Sequence, residues 1–488
     1  MNAMRLTSPL TILLALFTIL CLVFSSKTPY RQSGRLVHQA GDAVDIGAPD
    51  ERQHANYVQS LLDGDGFPVL QPGSPDLGET YQAHQPPLYY VLAAGFCKLT
   101  GAEPSDRPSG GRLRLLNTII GLGTLVALFM AARWGLKSDA IGLAAVAFAG
   151  LMPMFIALHS AVSNDPLLFL ICSWTVALAA RGIRQGWDWK LAAWCGVVVG
   201  LGLLTKTTAL ALLPTVAVAL LCTRLWGEGR PPVRVWLLAL VLPVVIASPW
   251  MARNQDLYGD PFAISAFNEA FVGSPKPQTV ALPMRLITDP VYREVATRII
   301  DEAGEDGIQA QVLMDRVYDE VGFTPAVHLD YWANWVGWWT ARSFVGVFGY
   351  MDIFLLEPSE PTPGKNPMGA SNNLYRVVMA ALALVCLGWL LSLRRKMDGA
   401  TKALTITCAV LLGVVALLFV RFNLQYFQGQ ARYLYPAIAP ISLGLAGGLC
   451  FWLKGREKYA WVFVAAALLI LDFLAYKAIS TGFPVRIG

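Results

Sequence analysis

The sequence predicts an all-α polytopic membrane protein: a bundle of about eleven transmembrane helices, with interfacial helices in two long external loops. Three observations carry that expectation. Of the 488 residues, 55% are hydrophobic and only 15% charged, whereas a soluble globular chain carries about 25% charged residues. Runs of the roughly 20 apolar residues that a spanning helix needs recur along the chain. Basic residues gather on one side of those runs, as membrane topology requires.

The apolar runs fall at 8–25, 113–133, 139–158, 165–181, 189–205, 207–225, 235–250, 374–393, 402–420, 433–453 and 459–477. No small-residue cleavage site follows the first, so it is expected to stay as an anchor. The short loops on its N-terminal side hold sixteen Lys and Arg, among them Arg133, Arg184, Arg234, Arg394, Arg395 and Lys454. The opposite short loops hold three: Lys206, Arg421 and Arg432. The N-terminus is therefore expected in the cytoplasm and, with an odd number of spans, the C-terminus outside. The membrane expected is a bacterial inner membrane.

Three regions follow. Residues 1–250 form an N-terminal transmembrane module whose first external loop, 26–112, holds the densest polar motifs. Residues 251–373 form a second external loop. Residues 374–488 supply the last spans. Within the first loop, the apolar run Pro86–Leu99 is too short to span and reads as an interfacial helix. In the second, 285–322 is charged and helix-friendly. The Trp-rich stretch 331–339 suits the headgroup layer, so 326–350 is expected to lie along the surface or re-enter it.

The eight cysteines are scattered through apolar runs, with no CxxC or ligand-like spacing, so neither a disulfide framework nor structural zinc is expected. The net charge of +5 lies mostly in topology-setting loops and calls for no nucleic-acid partner.

The first loop opens with Pro49-Asp50-Glu51-Arg52-Gln53-His54 and closes with Tyr81-Gln82-Ala83-His84-Gln85-Pro86-Pro87-Leu88-Tyr89-Tyr90. Read alone, Asp50 is a helix N-cap in an acidic turn, and the double proline a helix start. Helical spacing puts Glu51 and His54 on one face. If folding brought His84 to Asp50, Glu51 or His54, the set could hold a divalent metal. Asn164-Asp165-Pro166 is turn chemistry, or a polar wall of an external cavity. Lys206, Arg432 and Arg253 stand at outer helix ends, where positives are rare. They are interface anchors or cations for a lipid phosphate. Tyr433 follows Arg432 at the start of a Tyr-rich span.

In their order and placement these segments resemble the type C membrane glycosyltransferases, which take sugars from polyprenyl-phosphate carriers. The likeness extends to the protein O-mannosyltransferase-like and lipid A aminoarabinose transferase-like enzymes. The segments 249–261, 343–352 and 429–436 are similar to a bacterial branch of that superfamily. The resemblance implies a GT-C bundle and a sugar transferred with inversion to an acceptor hydroxyl on a glycan, lipid or protein. It implies Asp50 as the base, Glu51 beside it, and polyprenyl phosphate as leaving group. His54, His84, Gln85, Asn164, Asp165, Lys206, Arg253, Arg432 and Tyr433 become substrate-binding candidates, and Asp50 with His84 candidate metal ligands. Many such enzymes place an acidic–basic pair before the double proline; this chain has His84-Gln85, so His84 is expected to substitute as ligand or phosphate partner. No glycine-rich nucleotide loop is present in the sequence, in keeping with a lipid-linked donor.

Two other classes compete. A transporter or flippase of lipid-linked sugars usually shows internal repeats and midplane charges; here the polar groups cluster in external loops. A non-catalytic envelope-assembly protein would lose nothing with Asp50. The topology is testable directly. In a background free of native cysteines, Cys at Ser74 or Ser359 should react with an impermeant thiol reagent from outside only. Labelling solely from the cytoplasmic side would overturn the placement.

Overall fold

The computed structural model describes residues 8–36, 42–272, 286, 289–304, 307–322, 325–356 and 373–487; Ser359 lies outside them. Among the described residues, nine helices are long and apolar enough to cross a membrane. They are Ser8–Lys27, Arg107–Leu136, Asp165–Gln185, Thr207–Trp226, Val233–Tyr258, Asn373–Ser392, Gly399–Gln425, Ala431–Trp452 and Glu457–Ile487. Each coincides with an apolar run of the sequence.

Two of the eleven expected spans differ. The run 139–158 folds as Asp139–Gly150 and Pro153–His159, bent by 69°. Met152 is extended and Pro153 opens the second piece at its first helical position, where a missing N–H costs nothing. Trp189–Leu203 has 15 residues, or about 22 Å of helix, short of the roughly 30 Å hydrocarbon layer. Counting the bent pair as one span gives ten.

The spans pack closely. Arg107–Leu136 lies along Asp165–Gln185, Thr207–Trp226 along Gly399–Gln425, and Asp139–Gly150 between Ala431–Trp452 and the last span. Phe17, Phe155, Phe169 and Tyr435 meet ring to ring in the core. Asn373–Ser392 crosses Ala431–Trp452 at Gly448, where a side chain would collide with the Val385 carbonyl.

The first long loop is ordered by three helical pieces. Glu51–Asp63 buries Glu51, His54, Ala55, Tyr57 and Val58 on one face and stops at Gly64, φ +87°, a left-handed cap that glycine adopts without strain. Tyr81–His84 is a single 3₁₀ turn. Leu88–Thr100 is the expected short apolar helix, its first N–H bonded to the Leu204 carbonyl at 2.9 Å. In the second loop, Pro290–Ala303 packs against Ala310–Val321, the expected helical insert. The Trp-rich stretch is helical from Pro325 to Val345, and buries Tyr331 and Val336 against Phe419. A short antiparallel pair then sets Val347 opposite Phe354 and Phe348 opposite Ile353. A second pair joins Gly34–Arg35 to Asp42–Ala43.

The helix crossing gives a test of packing. Gly448→Leu should destabilise the protein by about 1–3 kcal/mol, the usual cost of overpacking, read as a lower unfolding midpoint in detergent. An unchanged midpoint would mean that the crossing is loose.

Candidate active site

Asp50 and Glu51 are neighbours in sequence and do different things. Glu51 is buried with Arg114, their side chains 1% and 2% exposed. Arg114 donates from Nε to Glu51 Oε1 at 2.7 Å and from Nη2 to Oε2 at 2.5 Å. Its remaining N–H groups reach the carbonyls of Ser25, Thr28 and Pro29, each at 2.8 Å. Glu51 Oε1 also accepts the Val162 N–H at 2.8 Å. Both carboxylate oxygens are thus committed to fixed donors, so Glu51 acts as a strut joining three segments. The sequence had set it beside Asp50 as a catalytic partner.

Asp50 occupies the N-cap position of the same helix but makes no side-chain cap bond. Its backbone is left-handed, φ +64°, a conformation that costs an L-residue roughly 1 kcal/mol and that Asp tolerates better than most. The twist turns its carboxylate away from the helix end. Tyr81 donates its hydroxyl to Oδ1 at 2.5 Å and Arg432 its Nη2–H to Oδ2 at 2.7 Å. The plain N-cap alternative therefore fails. Burial pushes the Asp50 pKa up, but the Arg432 guanidinium and the Tyr81 hydroxyl outweigh it and bring it down to about 2.

A second pair stands nearby: Lys206 Nζ bonds Asp165 Oδ1 at 2.5 Å. Lys206 and Arg432 are ion-paired rather than splayed to the interface as anchors. His54 lies within electrostatic reach of both pairs, and burial holds its pKa down near 3, so the ring is neutral. It shares a 2.8 Å hydrogen bond between Nδ1 and the Tyr90 hydroxyl. Tyr57 stacks on Tyr90 at 3.7 Å, clamping the two loop helices together.

His84 and Gln85 belong to a neutral chain of bonds. His84 Nδ1–H donates to the Tyr81 carbonyl at 2.6 Å, and Gln85 Nε2 donates to His84 Nε2 at 2.9 Å. Asn164 Nδ2 donates to Gln85 Oε1 at 3.0 Å and to the Thr205 carbonyl at 3.2 Å. That pattern needs a neutral imidazole, and burial lowers the His84 pKa to about 4. In this structure both His84 ring nitrogens, expected as metal ligands together with Asp50, are engaged in hydrogen bonds. Among the described residues no group of three or more His, Cys, Asp or Glu is placed to hold a metal ion.

Arg253 is elsewhere. It donates from Nη2 to the carbonyls of Phe67 and Pro68 and lies over the Trp250 ring at 4.5 Å, pinning the first loop. Tyr433 lies beside Arg432, its hydroxyl accepting from Nη2 at 3.3 Å. Arg421 is exposed, and Arg342 stacks over Trp338 at 3.7 Å. Sequence reasoning missed Tyr81 and Arg114. Arg114 carries the signal that singled out Lys206, a cation at a span end on the side where the sequence holds few positives. Tyr81 has the three-residue spacing to His84 of one tight helical turn.

With this geometry the comparisons become informative. Residues 84–252 match the family of dolichyl-phosphate-mannose-protein mannosyltransferases. No curated protein matches the sequence. The Archaeoglobus fulgidus oligosaccharyltransferase in complex with Zn and sulfate superposes with a TM-score of 0.53 at 10% identity, over 96% of this chain and 53% of that one. The archaeal oligosaccharyltransferase AglB from Archaeoglobus fulgidus, in complex with an inhibitory peptide and a dolichol-phosphate, gives 0.51 at 12% identity, over 96% and 56%. ArnT from Cupriavidus metallidurans bound to undecaprenyl phosphate gives 0.37 at 16% identity, over 92% and 77%. The chain spans about half the length of the oligosaccharyltransferase it resembles. The family match covers 84–252 of the 488 residues, and the superposition shows that the chain shares the oligosaccharyltransferase fold only at the level of architecture, with TM-scores of 0.53 and 0.51.

The strut yields a prediction. Breaking one side of a buried ion pair leaves an uncompensated charge and costs about 3–5 kcal/mol. Arg114→Met should therefore lower the unfolding midpoint far more than Arg456→Ala at an exposed position. Equal, small shifts would show that Glu51 is solvated and free for chemistry.

Proposed function

We propose that the protein is an inverting glycosyltransferase that moves a sugar from a polyprenyl-phosphate donor to an acceptor hydroxyl on the external face of the membrane. The observation that carries the reading is Asp50: a strained, half-buried carboxylate that declines its capping bond and is aimed by Tyr81 and Arg432. A structural N-cap needs neither strain nor a counter-cation. The acceptor would be a hydroxyl of a cell-envelope glycan, lipid or protein.

In the reaction the acceptor O–H approaches Asp50 and gives up its proton as its oxygen bonds to the anomeric carbon. The bond from that carbon to the phosphate oxygen breaks, and its electron pair leaves with the polyprenyl phosphate. Charge develops on that leaving group, and fixed cations in a dry site stabilise it more strongly than water would. Arg432 and Lys206 are the cations at hand, each now balanced by a carboxylate. The cluster is neutral at rest, with His54 and His84 uncharged. The donor phosphate can therefore compete with Asp50 and Asp165 for its two cations. No step is assigned to a metal, because the described residues do not form a ligand set.

Two substitutions test the reading with purified protein in nanodiscs, reading release of polyprenyl phosphate from a panel of lipid-linked sugars. Asp50→Asn keeps the size and removes the base; loss of about 10²–10⁴-fold in kcat is expected. A folded Asp50→Asn variant with near-full transfer would end the assignment. Arg432→Ala should weaken donor binding, and Arg432→Lys should restore only part, because the two-pronged contact is lost. If Arg432→Ala binds donor as well as Arg456→Ala does, the phosphate site lies elsewhere.

A further inference from the structure

Asp50 has two donors, Tyr81 and Arg432, and the proposed reaction makes use of one of them for something else. Arg432 is also a cation for the donor phosphate. When its guanidinium turns toward that phosphate, Asp50 loses its counter-charge. The remaining charged and titratable groups facing Asp50 do not replace it. His54 on its own helix is neutral, Tyr350 comes from the turn between the short strands, and the Lys206–Asp165 pair is self-balanced.

Tyr81 is built to stay. Its carbonyl accepts from His84 at 2.6 Å while its hydroxyl donates to Asp50. Its ring meets the edge of Phe271 at 5.6 Å; Phe271 packs on Phe267 at 4.5 Å, and Phe267 on His84 at 5.0 Å. From His84 the bonds continue through Gln85 and Asn164 to the Thr205 carbonyl, one residue before Lys206. One continuous run of neutral groups thus spaces the Arg432–Asp50 pair from the Lys206–Asp165 pair.

We propose that Tyr81 is a positioning residue for the transfer: its hydroxyl keeps Asp50 ionised and aimed at the acceptor while Arg432 is drawn to the donor phosphate. The inference rests on reading Asp50 as the base. It also resolves a difficulty in that reading. A carboxylate held near pKa 2 is a poor proton acceptor at neutral pH. Withdrawing Arg432 raises its basicity, and the Tyr81 bond, made to the charged form, limits the rise.

The test is the pH dependence of kcat in the full-length protein, with a polyprenyl-phosphate sugar that the wild type consumes. Tyr81→Phe deletes one oxygen and leaves the ring on Phe271. The expected result is a loss on the order of 10²-fold in kcat, the cost of a misaimed catalytic group. The acid limb should move up by about one pH unit, with donor KM unchanged. Installing 3,5-difluorotyrosine at position 81 preserves the bond with a more acidic donor, and should move the limb the other way without disturbing the fold. A slower Tyr81→Phe variant with an unmoved limb, and no shift with the fluorinated residue, would mean that Tyr81 only packs. If Asp50→Asn is inactive in the same assay, that outcome removes this proposal alone; if Asp50→Asn is active, the base assignment fails and takes it down as well.

Discussion

Arg114 and Glu51 meet where the first span ends, the second begins and the first helix of the intervening loop starts. The guanidinium spends its N–H groups on the Glu51 carboxylate and on three carbonyls at the end of the first span. Glu51 in turn takes the Val162 N–H. Without that pair the loop would be a polar chain lying over an apolar bundle, free to move in water. With it, the helix Glu51–Asp63 has a fixed origin, and the residue just before that origin has a fixed direction.

That residue is Asp50, and its left-handed backbone is the consequence. Glu51 must point inward to Arg114, while Asp50 must reach Tyr81 and Arg432. Two adjacent side chains in a regular helix start could not serve both demands, so the strain falls at their junction. Low dielectric makes the division sharp: a buried charge without a partner is very costly. Each ionised group is met accordingly, Glu51 by Arg114, Asp50 by Arg432, and Asp165 by Lys206.

The spacer between the Arg432–Asp50 and Lys206–Asp165 pairs is uncharged. His84, Gln85 and Asn164 each donate to the next acceptor along the line or to a backbone carbonyl, and Tyr81 completes it. A charged residue at His84 or Gln85 would upset the balance of the cluster and compete for its cations. Neutral groups fix distance without adding charge. The distant end of the chain helps to hold the other wall: Arg486 bonds the Asp352 side chain and carbonyl, each at 2.8 Å, and so ties the turn bearing Tyr350 to the last span.

The sequence by itself determined the membrane bundle, because hydrocarbon admits only backbone that satisfies its own hydrogen bonds and side chains that are mostly apolar. Each expected apolar run is helical, one of them as two pieces bent at Met152–Pro153, and a short helix follows the double proline as composition predicts. The polar motifs of the first loop, and the cations rare on their side of the membrane, were legible for the same reason: ionisable groups beside hydrocarbon are costly and stand out. What only the tertiary structure decided is who meets whom. Asp50 and Arg432 are 382 residues apart, and no spacing rule joins them. Pro153 and the shortness of Trp189–Leu203 altered two spans, because their fit depends on neighbours and on length. Two adjacent acids look alike in sequence. One became a strut and the other a carboxylate held by Tyr81 and Arg432, because packing around Arg114 consumed both oxygens of the first and left the second to those donors.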